Sequence, residues 1–199
     1  MAVQLSDEQE AAFAAMVDFY ENRRGFSFVL HGLAGTGKTT VLSKLAHQFP
    51  DAMLCTLTGK AASILRLKTE LDATTIHAAF YLLKEKIKDK KGRDKLIFGK
   101  QHLEGDLEGG LLLLDECSMV NEAMAQDMLR TGVMIIASGD PGQLPPVEGK
   151  QFFKAPNFTL KTIHRQALES PIIRQAHAVR VGGNYSADGE NFRVARHGE

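Results

Sequence analysis

The sequence predicts an α/β fold, a mostly parallel β-sheet with helices on both faces. Two wholly apolar runs, Leu111 to Leu114 and Val133 to Ala137, are too short for helices and show no alternation, as strands covered on both sides require. Stretches of helical spacing alternate with such runs along the chain. A further apolar run, Phe26 to His31, passes through glycines directly into helical spacing, giving the order strand, glycine loop, helix. With 199 residues, 44% hydrophobic and 24% charged, the chain can bury one sizeable core, which argues against a disordered tail, a disulfide mini-protein or a membrane protein.

In chain order, Asp7 to Tyr20 sets Ala11, Phe13, Ala14, Met16, Val17 and Tyr20 among Glu8, Glu10 and Asp18, which predicts an amphipathic helix capped by Ser6 or Asp7. Gly25 and Gly32 bound the first strand. After Lys38, helical spacing returns through Val41, Leu42, Leu45 and Ala46. A second strand fits Ala52 to Leu57, and a helix opens near Thr58 with Ala61, Ala62, Ile64 and Leu65 facing inward. Thr75 to Leu83 predicts another short helix. Lys84 to Lys100 carries eight Lys or Arg against three acids, and Gly99 to Gly110 holds few apolar residues, so residues 84–110 are expected to form a surface insertion. Met119 to Leu129 predicts a helix between the two apolar strands. The domain is expected to span residues 1–183, leaving 184–199 as a frayed tail or the start of a missing second domain, because Gly182 to Glu199 is rich in Gly, Asn, Ser and Arg without periodicity.

Lys plus Arg balance Asp plus Glu at 24 each, so no global positive field draws the chain to a polyanion, and any such contact must be local. Cys55 and Cys117 each adjoin an apolar run, which suits buried thiols in a reducing compartment, the cytoplasm. No run approaches the roughly 18 apolar residues of a spanning helix, and the first residues lack a basic-then-apolar signal, so export and membrane insertion are not expected.

Gly32-Leu33-Ala34-Gly35-Thr36-Gly37-Lys38-Thr39 satisfies G-x-x-x-x-G-K-[ST], and it lies between a strand and a helix start. Each part answers a feature of a nucleoside triphosphate. Backbone amides from Gly32 to Thr40 converge on phosphate oxygens at the positive end of the helix. Lys38 reaches the β- and γ-phosphates, and Thr39 offers a hydroxyl to Mg²⁺. ATP and Mg²⁺ are the expected cofactors.

In a parallel sheet every strand delivers its C-terminal end to one edge, so Asp115 and Glu116, which follow Leu114, should arrive beside this loop. Asp115 can hold the Mg²⁺ shell, and Glu116 can polarise a water for in-line attack; the alternative makes both helix-start acids. Val133 to Ala137 then leads to a stiff loop of glycines and prolines, Ser138 to Pro146, on the same edge, and Gln143 within it can reach a γ-phosphate or the attacking water.

These residues resemble superfamily 1 DNA helicases of the RecD-like and Dda-like branch, motif by motif from about residue 4 to residue 183. Leu5-Ser6-Asp7-Glu8-Gln9 looks like the Q motif, which implies that Gln9 reads the adenine edge; Ser6 and Gln9 also suit a helix capping box. Thr58-Gly59-Lys60-Ala61-Ala62 resembles motif Ia and Thr75-Ile76-His77 the motif that follows it, implying that Thr58, Lys60, Thr75 and His77 lie along a single-stranded DNA path. Asp115-Glu116-Cys117-Ser118-Met119 is close to motif II, and Gly139 to Val147 matches motif III. Leu160 through Ile163-His164-Arg165-Gln166, then Ser170-Pro171-Ile172, resembles motif IV, in which Arg165 would contact the γ-phosphate. His164 stands where relatives often carry an aromatic residue.

The resemblance implies a RecA-like P-loop ATPase domain serving as the motor of a 5′-to-3′ DNA helicase, with single-stranded DNA and a second motor domain or another replication or recombination protein as partners. Lys38, Glu116, Gln143 and Arg165 would carry catalysis; Gln9 and Gly32, Ala34, Gly35, Thr36, Gly37, Lys38, Thr39 and Thr40 would bind nucleotide; Thr39 and Asp115 would hold the metal. The other reading is a nucleotide- and DNA-binding module that turns over weakly for want of the second domain.

Overall fold

The computed structural model describes residues 4–88, 94–164, 171–180 and 182. Its elements are α1 (Asp7–Glu21), β1 (Ser27–Gly32), α2 (Lys38–Gln48), β2 (Met53–Thr56), α3 (Gly59–Thr69), β3 (Thr74–Thr75), α4 (Ile76–Phe80), β4 (Tyr81–Lys88), β5 (Asp94–Lys100), β6 (Leu111–Leu114), α5 (Glu122–Arg130), β7 (Met134–Gly139), β8 (Phe158–Leu160) and α6 (Pro171–Arg180). Six strands form one sheet in the order β3-β2-β6-β7-β1-β8, with every neighbouring pair parallel. All therefore end on one edge.

Central strands are buried on both faces, which is why their sequences do not alternate. Leu111 and Leu113 point into a cluster with Leu30, Ile136, Met16 and Leu45, under α1 and α2. Leu112 and Leu114 point the opposite way, toward Ile76, Phe80, Ala125 and Met128 of α4 and α5. On α1 the buried stripe is Gln9, Ala12, Met16 and Phe19, at helical spacing. A glutamine thus occupies a core-facing position.

Several sequence expectations need correction. The helix predicted over Thr75 to Leu83 stops at Phe80, and Tyr81 enters β4, which pairs antiparallel with β5. The stretch expected as a surface insertion contains most of this hairpin. Cross-strand pairing overrides local spacing here, and Leu82 and Leu83, which would have been the helix's apolar face, are exposed. Asp127 of α5 fastens the hairpin's base, accepting from the Tyr81 hydroxyl at 3.0 Å and pairing with Lys100 at 2.5 Å, where Tyr81 and Lys100 face each other across the strands.

The helix predicted from Met119 begins only at Glu122. Cys117–Met119 is a 3₁₀ turn, and Val120 is extended because its carbonyl accepts from the Phe152 amide at 3.1 Å. Asn121 then caps α5 through the Met124 amide. On α3, Ala62 and Leu65 face inward as expected, whereas Ile64 is 43% exposed and Ala61 half-buried. The three-residue β8 was not foreseen; it is too short to carry a periodic signal. The tail expected over 184–199 lies outside the described residues.

Candidate functional site

The phosphate-loop motif turns between Gly32, the last residue of β1, and Lys38, the first of α2. Gly35 and Gly37 adopt φ 87° and 81°, in the left-handed region where side chains are strained. A β-carbon at Gly32 would strike the Thr36 hydroxyl, which donates to the Leu33 carbonyl at 2.9 Å, and one at Gly37 would strike the Gln9 amide. Gly37 caps α2 without a side chain, so no side chain competes for the first amides of the helix. Lys38 Nζ donates to the carbonyls of Gly32 at 2.7 Å and Leu33 at 3.1 Å. Burial pushes the Lys38 ammonium below its ordinary pKa, and the carboxylates of Asp140, Asp115 and Glu116 only partly restore it.

β6 delivers Asp115 to the same edge and beside the loop as expected, although β7 lies between β6 and β1 in the sheet. Ser138 of β7 and Thr39 of the loop hold Asp115 from two sides: the buried Ser138 hydroxyl donates to Asp115 Oδ1 at 2.5 Å, and Thr39 donates to Asp115 Oδ2 at 3.0 Å. Both carboxylate oxygens are thereby fixed. The Glu116 amide also donates to Oδ1, and Glu116 itself adopts φ 57°, a left-handed conformation that holds its side chain exposed in the cleft. The hydroxyl of Thr39 and the carboxylate of Asp115 are hard oxygen donors of the kind Mg²⁺ takes. Mg²⁺ takes few oxygens from a protein and completes its shell with water and phosphate oxygens, so one hydroxyl and one carboxylate are a sufficient protein share. The residues fit a nucleotide-bound Mg²⁺ on that account.

A cleft of about 890 Å³ joins these groups, with Ala34, Gly35, Thr40, Asp115, Glu116 and Gln143 among its walls. Beyond β7, the buried Asp140 carboxylate accepts from the Gly142 amide at 2.8 Å and from Arg180 of α6 at 2.9 Å. The Arg180 guanidinium lies against Gly142, whose β-carbon would sit 2.9 Å from Cζ. Gln143 is held by the Ser118 hydroxyl at 2.9 Å. The loop is thus pinned from α6 and from the turn after Glu116.

Gln9 serves the capping box, its Oε1 accepting from the Ser6 amide at 3.0 Å. It also leans on the phosphate loop: Nε2 donates to the Thr36 carbonyl at 3.0 Å and lies 2.7 Å from His164 Nε2. The His164 amide donates to the Gly35 carbonyl at 3.1 Å, so His164 braces the loop. Glu8 accepts from the amides of Lys161 and Thr162 at 2.9 and 3.0 Å, and the Lys161 bond chiefly lowers its pKa. Arg165, together with Gln166 and Ser170, lies outside the described residues.

Thr58 and Thr75 stand near the ends of neighbouring strands, with Thr56 and Thr75 paired in register. Each hydroxyl caps a helix, accepting from Ala61 at 3.2 Å and Ala78 at 3.1 Å. Lys60 is exposed at the second position of α3. His77 is exposed too, its ring 5.5 Å from that of Tyr81 and 6.0 Å from that of Phe98 on the hairpin. Cys55 and Cys117 are free and buried, their thiols pushed up to about 12 by desolvation.

Sequence reasoning missed Ser138, Ser118, Asp140 and Arg180 as working parts. Ser138 and Asp140 flank a recognised glycine and were within reach of strand-edge reasoning. Arg180 gives no local signal, since only the fold returns α6 to this loop.

The parallel sheet, its flanking helices and the loop between β1 and α2 define a RecA-like P-loop NTPase fold. The chain belongs to the AAA domain family, whose model matches residues 4–193. It is 27% identical over 164 residues to the uncharacterized protein R530 of Acanthamoeba polyphaga mimivirus, covering 70% of this chain and 33% of that protein. It is 30% identical over 178 residues to the conjugal transfer protein TraA of Rhizobium radiobacter, covering 83% of this chain and 14% of TraA. Among solved structures, the Pif1 helicase from Bacteroides in complex with ADP-AlF3 and ssDNA shares the fold with a TM-score of 0.59 at 24% identity, covering 90% of this chain and 47% of that one. This chain therefore spans a third or less of these curated relatives and about half of the helicase. No helix among the described residues is long and apolar enough to cross a membrane.

Proposed function

We propose that this chain is the ATP-binding and ATP-hydrolysing motor domain of a cytoplasmic 5′-to-3′ DNA helicase of the RecD-like branch, acting on single-stranded DNA. The observation that carries the reading is the hydrogen bond from Thr39 to Asp115, which links the phosphate loop to the acid pair across β7. Pif1 of Bacteroides, whose fold this chain shares, has been captured with ADP-AlF3 and ssDNA, which supports the ligand classes. The polarity and the branch rest on motif resemblance.

In this reading, Gln9 contacts adenine after releasing its bond to His164, and the amides from Gly32 to Thr40 hold the phosphates. Lys38 exchanges its two carbonyl partners for β- and γ-phosphate oxygens. Thr39 and Asp115 would hold Mg²⁺, which supplies positive charge to the phosphate oxygens when bound. Glu116 accepts a proton from the water that attacks the γ-phosphorus. Gln143 orients that water or the γ-phosphate, and Arg165 neutralises charge growing on the transferred group. Thr58, Lys60, Thr75 and His77 line the strand's path, and a second motor domain completes the translocating unit. The ATPase domain is assigned to residues 1–183, with 184–199 leading toward that second unit.

Phosphate release measured with and without single-stranded DNA tests the proposal. ATP turnover that rises with DNA and vanishes in Lys38→Ala is the expected result. Nucleotide and DNA binding without turnover would instead identify a binding module, and absence of nucleotide binding would overturn both.

A further inference from the structure

A second cavity, of about 210 Å³, lies on the α3 side of Asp115 and Glu116 and shares Thr39, Lys68 and both acids with the main cleft. One face of α3 forms its wall: Lys60, Ile64 and Lys68 recur every fourth residue, with Ala61 and Leu65 alongside. This explains why Ile64 is exposed. Thr56, the last residue of β2, also lines the cavity and is 1% exposed. Its hydroxyl is the one buried side-chain polar atom among the described residues that has no hydrogen-bond partner. A hydroxyl buried in that state destabilises the fold unless something polar meets it. Lys60 and Lys68 are exposed, and neither has an ion-pair partner among the described residues.

The two ammonium groups offset the carboxylates of Asp115 and Glu116 on the same walls, and with Glu116 protonated by the attacking water the unpartnered hydroxyl and the two lysines favour a small oxyanion. We propose that this cavity receives the inorganic phosphate produced by hydrolysis and passes it out between Lys60 and Lys68. The inference rests on the hydrolase reading. Hydrolysis breaks the bond between the γ-phosphorus and the bridging oxygen, joins the water oxygen to phosphorus, and gives that water's proton to Glu116. Thr39, Lys68, Asp115 and Glu116 border both spaces, so the free phosphate has to pass among these four side chains to enter this cavity. A phosphate of a DNA strand carries a sugar on each side, and those sugars cannot follow it to a hydroxyl as buried as that of Thr56. Strand phosphates therefore stop at the exposed Thr58, and the inner part is left to the free ion.

The test is a titration of inorganic phosphate into protein loaded with Mg²⁺ and ADP, followed by ³¹P nuclear magnetic resonance. Wild-type protein is expected to bind phosphate, and Thr56→Val to bind it about tenfold more weakly, the loss of one hydrogen bond to an ion. Affinities for ADP and single-stranded DNA should not change. Because Thr56→Val removes an unpartnered buried hydroxyl, its melting temperature should equal or exceed that of wild type, which excludes misfolding. Lys68→Gln should weaken phosphate binding independently. Equal phosphate affinity in wild type and Thr56→Val, or a loss of DNA affinity in its place, overturns the inference. Nucleotide binding without phosphate binding overturns it alone; failure to bind nucleotide overturns the hydrolase reading as well.

Discussion

Lys38 sits where burial works against its own charge, and its two carbonyl partners are weak substitutes for phosphate. A triphosphate would supply the missing counter-charge and raise its pKa, so between the free and bound pKa binding takes up a proton. The sign follows directly: nucleotide affinity is fully present below the free-state pKa of Lys38 and falls as pH rises through it. Calorimetric dissociation constants measured across the alkaline range should weaken with pH in wild type and stay flat in Lys38→Met. Glu116 is held in a left-handed conformation that costs about 1–3 kcal/mol, a strain retained where its carboxylate faces the cleft. Glu116→Gln should keep ATP binding and lose about 10²–10⁴ in turnover, as removal of a general base does. Wild-type turnover in that variant would remove Glu116 from the chemistry.

Among the elements, α1 ties core to site. Met16 and Phe19 anchor one end against Leu30 and Leu45, while Gln9 at the other end of the same stripe meets the phosphate loop. Met16→Ala should cost about 2–5 kcal/mol, read as a fall in the denaturant midpoint, because the residue is fully buried and the cavity cannot refill. This doubling of core and site explains which elements were legible in the sequence. β6 and β7 were, because burial on both faces writes an unbroken apolar run. So was the phosphate loop, whose glycines are demanded by left-handed angles at Gly35 and Gly37 and by the crowding of Gly32 against Thr36. The hairpin was not, because its strands are held by pairing with each other and by Asp127, neither of which leaves a local periodicity. The late start of α5 was hidden likewise, since the Phe152 amide that claims Val120 lies more than thirty residues onward.

For the whole molecule, the order of the sheet decides what meets what. Asp115 was placed correctly on the common edge, but the intervening β7 sets Ser138 against its second carboxylate oxygen, a fact of strand order that the sequence does not spell out. Arg180 depends on topology even more, reaching Asp140 across forty residues. Arg180→Met should lower stability by about 1–3 kcal/mol, since Asp140 keeps its bond to the Gly142 amide but loses its only ion-pair partner among the described residues. A melting temperature unchanged from wild type would show that α6 contributes nothing to the Asp140 loop.

The hairpin has a mechanical consequence. Both of its roots, Tyr81 and Lys100, are moored to the single carboxylate of Asp127, so the hairpin's base is fastened to one turn of α5. That helix runs back through Asn121 and the 3₁₀ turn to Glu116, so a shift of the hairpin's base is carried along one short stretch of backbone to a carboxylate that lines the cleft.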